Sequence, residues 1–182
     1  GLDGPHPLLQ VDGDRRGPDE AGEYLSNDVQ LGVVRLSIVD PKGGHQPVRG
    51  CDGEPVCVYN GEIYNHHELR RELQQAGHWL QSESDSAVLP HLYEKFGSEL
   101  FQRLRGMYAL ALWDASQRRL VLARDRLGIK PLYLAETPDY LVFASEIKAL
   151  LASDLFPRGI DRDALDDVLS LSYPCPPRTL FR

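Results

Sequence analysis

Apolar and β-branched residues cluster in short runs that end at turn residues. From Val29 the run VQLGVVRLSIVD stops at the breaker cluster PKGGHQP, and a second run, PVCVYN, follows it. Runs of this kind predict strands joined by turns. The first 28 residues are rich in Gly, Asp and Pro, with little apolar sequence, and they predict loop.

Helical spacing begins directly after the second run. Asn65 with Glu68 three positions later matches a capping box, in which the two side chains cover the first amides of a helix. Leu69 and Leu73 recur at helical spacing, and Gly77 ends the segment. The sequence therefore predicts a helix over 66–76.

The middle of the chain predicts one further strand and two helices. HWLQ predicts a short strand, and SESDSAVLPHLYEKFG has a helical apolar face that Pro90 should kink or delay. Ser98 is expected to cap a helix over ELFQRLRG.

The second half begins with four strand-like runs and ends with two helical segments. The strand-like runs are MYALALWD, RLVLARD, PLYLAE and YLVFAS, and the helical segments are SEIKALLA and DRDALDDVLSLS. Their tight spacing predicts antiparallel neighbours. Strands and helices in blocks favour the α+β class. We expect one domain over 1–182, loop-rich over 1–28, with a C-terminal helix and linker over 158–182.

Composition and charge exclude several functions. The net charge is −7, and Lys and Arg are spread among acidic residues, so a nucleic-acid partner is not expected. No apolar run approaches the roughly 20 residues that span a bilayer, and no secretory signal is visible, so a cytoplasmic location is the default expectation. Three cysteines without C-x-x-C spacing argue against a disulfide framework and a structural zinc site, so no metal ligand is predicted.

One short segment combines groups that could bind and activate an amino acid. Asn60, Gly61 and Glu62 follow a strand-like run directly. An Asn side chain and the next N–H form a donor pair of the kind that stabilises a developing oxyanion. A strand arginine could bind the α-carboxylate of a free amino acid, and a carboxylate could bind its α-ammonium group.

Six motifs give the sequence a family resemblance. In chain order they are RLSIVD (35–40), NGEIYN (60–65), SESDSAVL (82–89), LRGMYALALWD (104–114), ARDRLGIKPLY (123–133) and FASEIKALL (143–151). Together they resemble the glutaminase domain of asparagine synthetases, which are class II, N-terminal-nucleophile (Ntn) glutamine amidotransferases. The similarity runs from about Arg16 to the end of the chain.

The resemblance implies a fold of two stacked antiparallel sheets flanked by helices (αββα, Ntn-hydrolase type), with glutamine bound at the strand ends. It assigns Asn60 and Gly61 to the oxyanion hole, and Glu62 and Asp85 to the substrate α-ammonium. Arg35 would clamp the α-carboxylate, near the backbone of Ser37, Ile38 and Val39.

Each of these residues also has an ordinary structural explanation. A strand arginine such as Arg35 is commonly ion-paired, Asn-Gly is most often a turn, and Asp85 alone would be a helix cap. Only the motif set favours the functional assignment. The polar motif ARDRLGIKPLY is interpreted as structural, through a pairing of Arg124 with Asp125.

The pattern breaks at the nucleophile. In the family this residue is a cysteine at the start of the mature chain, whose own α-amine serves as base. The sequence given begins with Gly1 and has Arg15 where the family usually has histidine. Cys51, Cys57 and Cys175 are interpreted as structural. Either the natural N-terminus lies outside this sequence, or the domain keeps the fold without the reaction.

Partners follow from the same resemblance. Asparagine synthetases carry a second domain with a Ser-Gly-Gly-rich phosphate loop, which does not occur here. We therefore expect L-glutamine as substrate, no cofactor in this domain, and an ATP-using synthetase domain or subunit that brings ATP and Mg²⁺. The ammonia acceptor and the oligomeric state, including a homodimer, stay open. The alternative is a non-catalytic domain that braces an ATP-dependent ligase, as in β-lactam synthetases.

Overall fold

The computed structural model describes residues 20–35 and 44–181, and the side chains of all of these except Glu20 and Arg35. The chain forms two compact units, one that runs to Leu132 and one that starts at Tyr133. The organisation of 1–182 as one domain stays a prediction.

The first unit contains a β-hairpin that the sequence only half predicts. Strand β1 (Glu20–Leu25) pairs antiparallel with β2 (Gln30–Arg35). The predicted loop at 20–25 is therefore wrong. The segment is only weakly apolar and does not by itself indicate a strand, but pairing with β2 supplies partners for its backbone. Leu31 is fully buried, and β2 lies against the strand β4 described below.

A four-stranded antiparallel sheet forms the centre of the unit. Its strands lie in the order β3 (Val48–Arg49), β4 (Val56–Ile63), β5 (Gly106–Asp114) and β6 (Arg119–Arg124). From Tyr108 to Asp114 every residue of β5 is buried, so both faces of this central strand are covered. Such a strand is apolar along its length, which explains why MYALALWD lacks strict alternation.

Three helices cover one face of this sheet: α1 (His66–Gln75), α2 (Val88–Phe96) and α3 (Leu100–Arg103). The core joins Leu69 and Leu73 of α1 with Leu89 and Leu92 of α2, and with strand residues such as Ile63. The predicted α1 is confirmed, but its capping box is wrong. The Asn65 side chain instead bonds to the backbone at 103 and 105.

Of three further local predictions, the delay of α2 by Pro90 is confirmed, and the HWLQ strand and the Ser98 cap are wrong. HWLQ is not a strand, since residues 78–81 lie in an irregular connection with Trp79 75% exposed. Pro90 delays α2, as expected: a 3₁₀ turn over Asp85–Ala87 precedes the helix, and Pro90 sits in its first turn, where no N–H is required. Ser98 does not cap α3, which follows a 3₁₀ turn over Gly97–Glu99.

The second unit contains the hairpin of β7 (Tyr133–Glu136) and β8 (Leu141–Ala144), then α4 (Ile147–Ala152) and α5 (Arg162–Leu171). These elements confirm the predicted runs at the end of the chain. Asp161 caps α5 by accepting hydrogen bonds from the N–H groups of Asp163 and Ala164. Throughout the described ranges, no helix is both long and apolar enough to cross a bilayer.

The loop after β6 is built around Asp125. This buried carboxylate accepts hydrogen bonds from four backbone N–H groups, those of Tyr108, Leu127, Ile129 and Lys130, at 3.0–3.2 Å. Arg124 donates to the carbonyls of Lys130 and Gly128. The motif is thus structural as predicted, but the expected pairing of Arg124 with Asp125 is wrong, since the two side chains bind the loop backbone separately.

Replacing Asp125 by asparagine should destabilise the first unit by about 2 to 3 kcal/mol. The new NH₂ group cannot accept the two N–H groups that one carboxylate oxygen now serves, and buried donors left unpaired carry a cost of this size. Urea denaturation at pH 7 measures the effect. Asp139→Asn, at an exposed turn, is the control and should change stability by less than about 0.5 kcal/mol. Equal effects of the two substitutions would contradict the role of Asp125.

The same carboxylate predicts a pH dependence. Burial raises the pKa of Asp125, but hydrogen bonds from Lys130, Ile129, Tyr108 and Leu127 outweigh burial, so the pKa lies below its usual value. The stabilisation is therefore complete above the unfolded pKa of about 4 and is lost as pH falls through the folded value. The stability gap between wild type and Asp125→Asn should be constant from pH 7 to 5 and shrink below about pH 4. A gap that persists unchanged at the lowest pH where the protein folds would contradict this assignment.

Candidate active site

The end of β4 presents the predicted polar triplet. Asn60 and Glu62 are both exposed, and because side chains alternate along a strand they share one face of β4. Tyr59 and Ile63 point to the opposite face, where both are buried in the core. Asn60 therefore faces away from the packed helices, on the side where a substrate could approach.

The backbone of β4 is only partly paired along one edge. All eight residues of β4 pair with β5 on one side, whereas β3 covers only Val56 and Cys57 on the other. Beyond β3 the Gln46 side chain serves the backbone of Tyr59 on this edge. Gln46 accepts from the Tyr59 N–H at 2.7 Å and donates to the Tyr59 carbonyl at 2.9 Å.

Asp85 closes the far end of the same edge. One of its oxygens accepts from the Ile63 N–H at 2.8 Å and from the Tyr59 hydroxyl at 2.7 Å. Gly61 lies midway between Tyr59 and Ile63, so its N–H points to the same edge. No group in the described ranges accepts a hydrogen bond from the Gly61 N–H. Among the described residues, a backbone donor without an acceptor thus lies beside the exposed Asn60.

Both carboxylate oxygens of Asp85 accept hydrogen bonds from neighbouring residues. Its second oxygen accepts from the Ser86 N–H at 2.9 Å, and Arg70 holds the preceding turn by donating to the Ser84 carbonyl at 3.1 Å. Burial, and next the charge of Asp85, raise the pKa of Tyr59, which keeps this hydroxyl a neutral donor. The carboxylate therefore joins the turn before α2 to the end of β4, close to Glu62.

Glycine at position 61 is required by the packing of the sheet. A Cβ atom there would lie 2.1 Å from the carbonyl oxygen of Met107 on β5, and φ is +157°. The contact with β5 is a sufficient reason for glycine at this position, because no side chain fits this approach.

The remaining predicted substrate residues are only partly described. Arg35 is the last residue of β2, and its side chain lies outside the described residues. Ser37, Ile38 and Val39 also lie outside them. Because β2 lies against β4, the strand that carries Arg35 runs beside the strand that carries the triplet.

The cysteines differ in their surroundings. Cys57 is fully buried on β4, and burial raises the pKa of its thiol, so it is unsuited to act as a nucleophile. Cys175 lies in the second unit, where its N–H donates to Asp167. Cys51 belongs to a different arrangement.

Across the ranges that the structure describes, one group of side chains could hold a metal ion. It comprises Cys51, His78, His91 and Glu94, whose ligand atoms all lie within 4.8 Å of one another. Sequence reasoning missed this cluster, because the four positions show no familiar ligand spacing. The i, i+3 pair His91 and Glu94 on α2 was the only local signal.

Comparison with known proteins identifies the family. The profile of the glutamine amidotransferase domain matches residues 10–182. The chain is 38% identical over 168 residues to glutamine-hydrolysing asparagine synthetase 3 of Bacillus subtilis, covering 91% of this chain and 27% of that protein. It is 45% identical over 136 residues to glutamine-hydrolysing asparagine synthetase 2 of rice (Oryza sativa subsp. japonica), covering 74% and 23%.

A solved structure shares the fold. It is the glutamine phosphoribosylpyrophosphate amidotransferase of B. subtilis, which matches with a TM-score of 0.58 at 25% identity over 72% of this chain and 31% of that one. This match confirms the predicted α+β class of Ntn type, with antiparallel sheets and flanking helices. The chain spans about a quarter of the length of the curated relatives it matches.

The sequence motifs, the fold and the profile match over nearly the whole chain agree. The chain belongs to the glutamine amidotransferase domain family and is similar to the glutaminase domains of asparagine synthetases.

Proposed function

We propose that this chain is the glutamine-hydrolysing, ammonia-donating part of an asparagine-synthetase-like amidotransferase. The observation that carries the proposal is the Gly61 N–H at the edge of β4, for which the described residues supply no acceptor, next to the exposed Asn60 side chain. Two donors of different origin are thereby available at one place, and a tetrahedral intermediate of amide hydrolysis needs such a pair.

The proposed reaction proceeds through a thioester. The thiolate of an N-terminal cysteine, which the family resemblance implies ahead of Gly1, attacks the side-chain carbonyl of glutamine. Asn60 and Gly61 donate to the oxyanion that forms. Collapse of the intermediate breaks the C–N bond, and the leaving nitrogen receives the proton that the cysteine α-amine took from the thiol, so that it departs as ammonia. Water then hydrolyses the thioester to glutamate and restores the thiol.

The charged ends of glutamine have separate partners in this proposal. Glu62 is exposed on the same face of β4 as Asn60 and is suited to meet the α-ammonium. Asp85 contributes negative charge close by, although most of its capacity as an acceptor is used by Tyr59, Ile63 and Ser86. Arg35 is assigned to the α-carboxylate, with Ser37, Ile38 and Val39 beside it.

The proposal extends to the whole protein. A fused synthetase domain would account for the greater length of the relatives, and it would bring ATP and Mg²⁺ to activate the ammonia acceptor. The glutaminase part then needs no cofactor for its own reaction. The complete protein would be a cytoplasmic ligase of amino-acid metabolism, and a homodimer is one assembly open to it.

Asn60→Ala should lower kcat for glutaminase activity by about 100-fold or more. Loss of one oxyanion donor raises the barrier by about 3 kcal/mol, whereas glutamine binding in the ground state depends mainly on its charged ends, so KM should change little. The assay is glutamate release by the natural protein with its own N-terminus.

Asn27→Ala, in the exposed turn between β1 and β2, is the matched control and should retain full activity. Wild-type turnover by Asn60→Ala would remove Asn60 from the oxyanion hole. If the wild-type protein carries its N-terminal cysteine and still releases no glutamate, the proposed function itself is wrong.

Glu62→Gln and Asp85→Asn should separate binding from stability. Glu62→Gln should raise KM for glutamine about tenfold without changing the free energy of unfolding, because its side chain is exposed. Asp85→Asn should also lower that free energy, by about 1 to 3 kcal/mol, because Ile63 and Ser86 N–H groups depend on the carboxylate. Steady-state kinetics and urea denaturation measure both variants.

Glu68→Gln, an exposed carboxylate in the first turn of α1, controls for loss of charge. A KM for Glu62→Gln equal to that of this control would rule out the ammonium contact. A wild-type stability for Asp85→Asn would rule out its bracing role.

A further inference from the structure

Four potential metal ligands from three separate segments converge on one point in the first unit. Cys51 lies in the turn between β3 and β4, and His78 lies just after α1. His91 and Glu94 are one helical turn apart on α2. Strand pairing and helix packing therefore assemble the cluster from positions that are distant along the chain.

Four distances within this cluster are close to the edge lengths of a tetrahedral metal site. The Cys51 Sγ lies 3.4 Å from the Nδ1 atoms of both His78 and His91. Glu94 Oε2 lies 3.2 Å from the first Nδ1 and 3.3 Å from the second. A tetrahedral zinc ion with Zn–S of about 2.3 Å and Zn–N or Zn–O of about 2.0–2.1 Å separates its ligands by about 3.3–3.6 Å. Four of the six edges thus have nearly the length that a bound ion would impose.

Full hydrogen bonds cannot account for all four of these short contacts at once. Each histidine Nδ1 faces both the Cys51 sulfur and the Glu94 oxygen. A ring nitrogen carries at most one hydrogen and can donate it fully to only one of these acceptors. A cation at the centre would instead contact all four atoms at once.

The surrounding backbone orients the ligands. Glu94 Oε1 accepts from the Cys51 N–H at 2.6 Å, which leaves Oε2 directed to the centre. A Cβ atom on Gly50 would lie 2.1 Å from the same Oε1, so glycine is what allows this carboxylate to approach. The His91 side chain is only 2% exposed. Second contacts to the ligands of this kind are typical of built metal sites.

We propose that Cys51, His78, His91 and Glu94 bind one Zn²⁺ ion in a closed, structural site. A thiolate, two imidazoles and a carboxylate suit this borderline-soft ion, and four protein ligands leave no open position for catalysis. The site lies at the turn before β4, whereas Asn60 is four residues beyond Val56, the first residue of β4, which is roughly 13 Å along the strand. The ion would join the β3–β4 turn, the segment after α1 and α2, and this replaces the sequence-based expectation of no metal.

Cobalt substitution tests the ligand set directly. The intact protein, stripped with a chelator and titrated with Co²⁺, should develop thiolate-to-cobalt charge-transfer absorption and intense visible bands typical of tetrahedral coordination, saturating at one equivalent for this site. Zn²⁺ should displace the cobalt and abolish the bands. Elemental analysis after dialysis should give one more zinc per chain for wild type than for Cys51→Ser.

The variants decide between a built site and adventitious binding. Cys51→Ser should lose the charge-transfer band, and His78→Gln should weaken cobalt binding at least tenfold; both positions tolerate change better than the buried His91. Cys175→Ser and His67→Gln, which lie outside the cluster, should bind as wild type does. A chelator should lower the melting temperature of wild type and leave that of Cys51→Ser unchanged. Bands that survive in Cys51→Ser, or zinc content equal in the two proteins, would overturn the proposal.

Discussion

In the part of the chain that the structure describes, strand β4 is fully paired with a neighbouring strand on one side only, and the candidate glutaminase site depends on this asymmetry. On the side of β5 every residue from Val56 to Ile63 has a strand partner. On the other side Gln46 and Asp85 occupy the N–H groups on either side of Gly61. Within the described residues, side chains thus serve the N–H groups of Tyr59 and Ile63, and the Gly61 N–H between them has no acceptor.

The same asymmetry explains why Asn60, Gly61 and Glu62 can pack within the sheet and also present groups to a substrate. Gly61 fits against β5 because it has no side chain, and this close contact fixes the direction of its N–H group. Asn60 and Glu62 are then directed to the opposite face from the helical core by the alternation of the strand. A donor held by the sheet needs no reorganisation when negative charge develops, which is the condition for effective oxyanion stabilisation.

Local sequence predicted the elements that have strong local signals and missed those that depend on distant partners. The runs that became β5 to β8 have consistent apolar patterns, and α5 has a capping aspartate, Asp161. Strand β1 has little β-propensity and exists through pairing with β2. The Asn65 side chain accepts a hydrogen bond from the Arg105 N–H instead of capping α1, and the residue spacing within α1 does not predict this contact.

The polar triplet and the proposed metal site also differ in whether their residues are close in sequence. Asn60, Gly61 and Glu62 are adjacent in sequence, so a motif can report them, whereas the four-residue ligand cluster combines positions separated by up to 43 residues. Each end of β4 is nonetheless fixed to α2 or the turn before it: the start through Cys51 and Glu94, the end through Ile63 and Asp85. Because both links reach one short helical segment, movement of that segment would displace both ends of the strand. The position of the Gly61 N–H therefore depends partly on the contact between Cys51 and Glu94, which lies outside the proposed glutamine site.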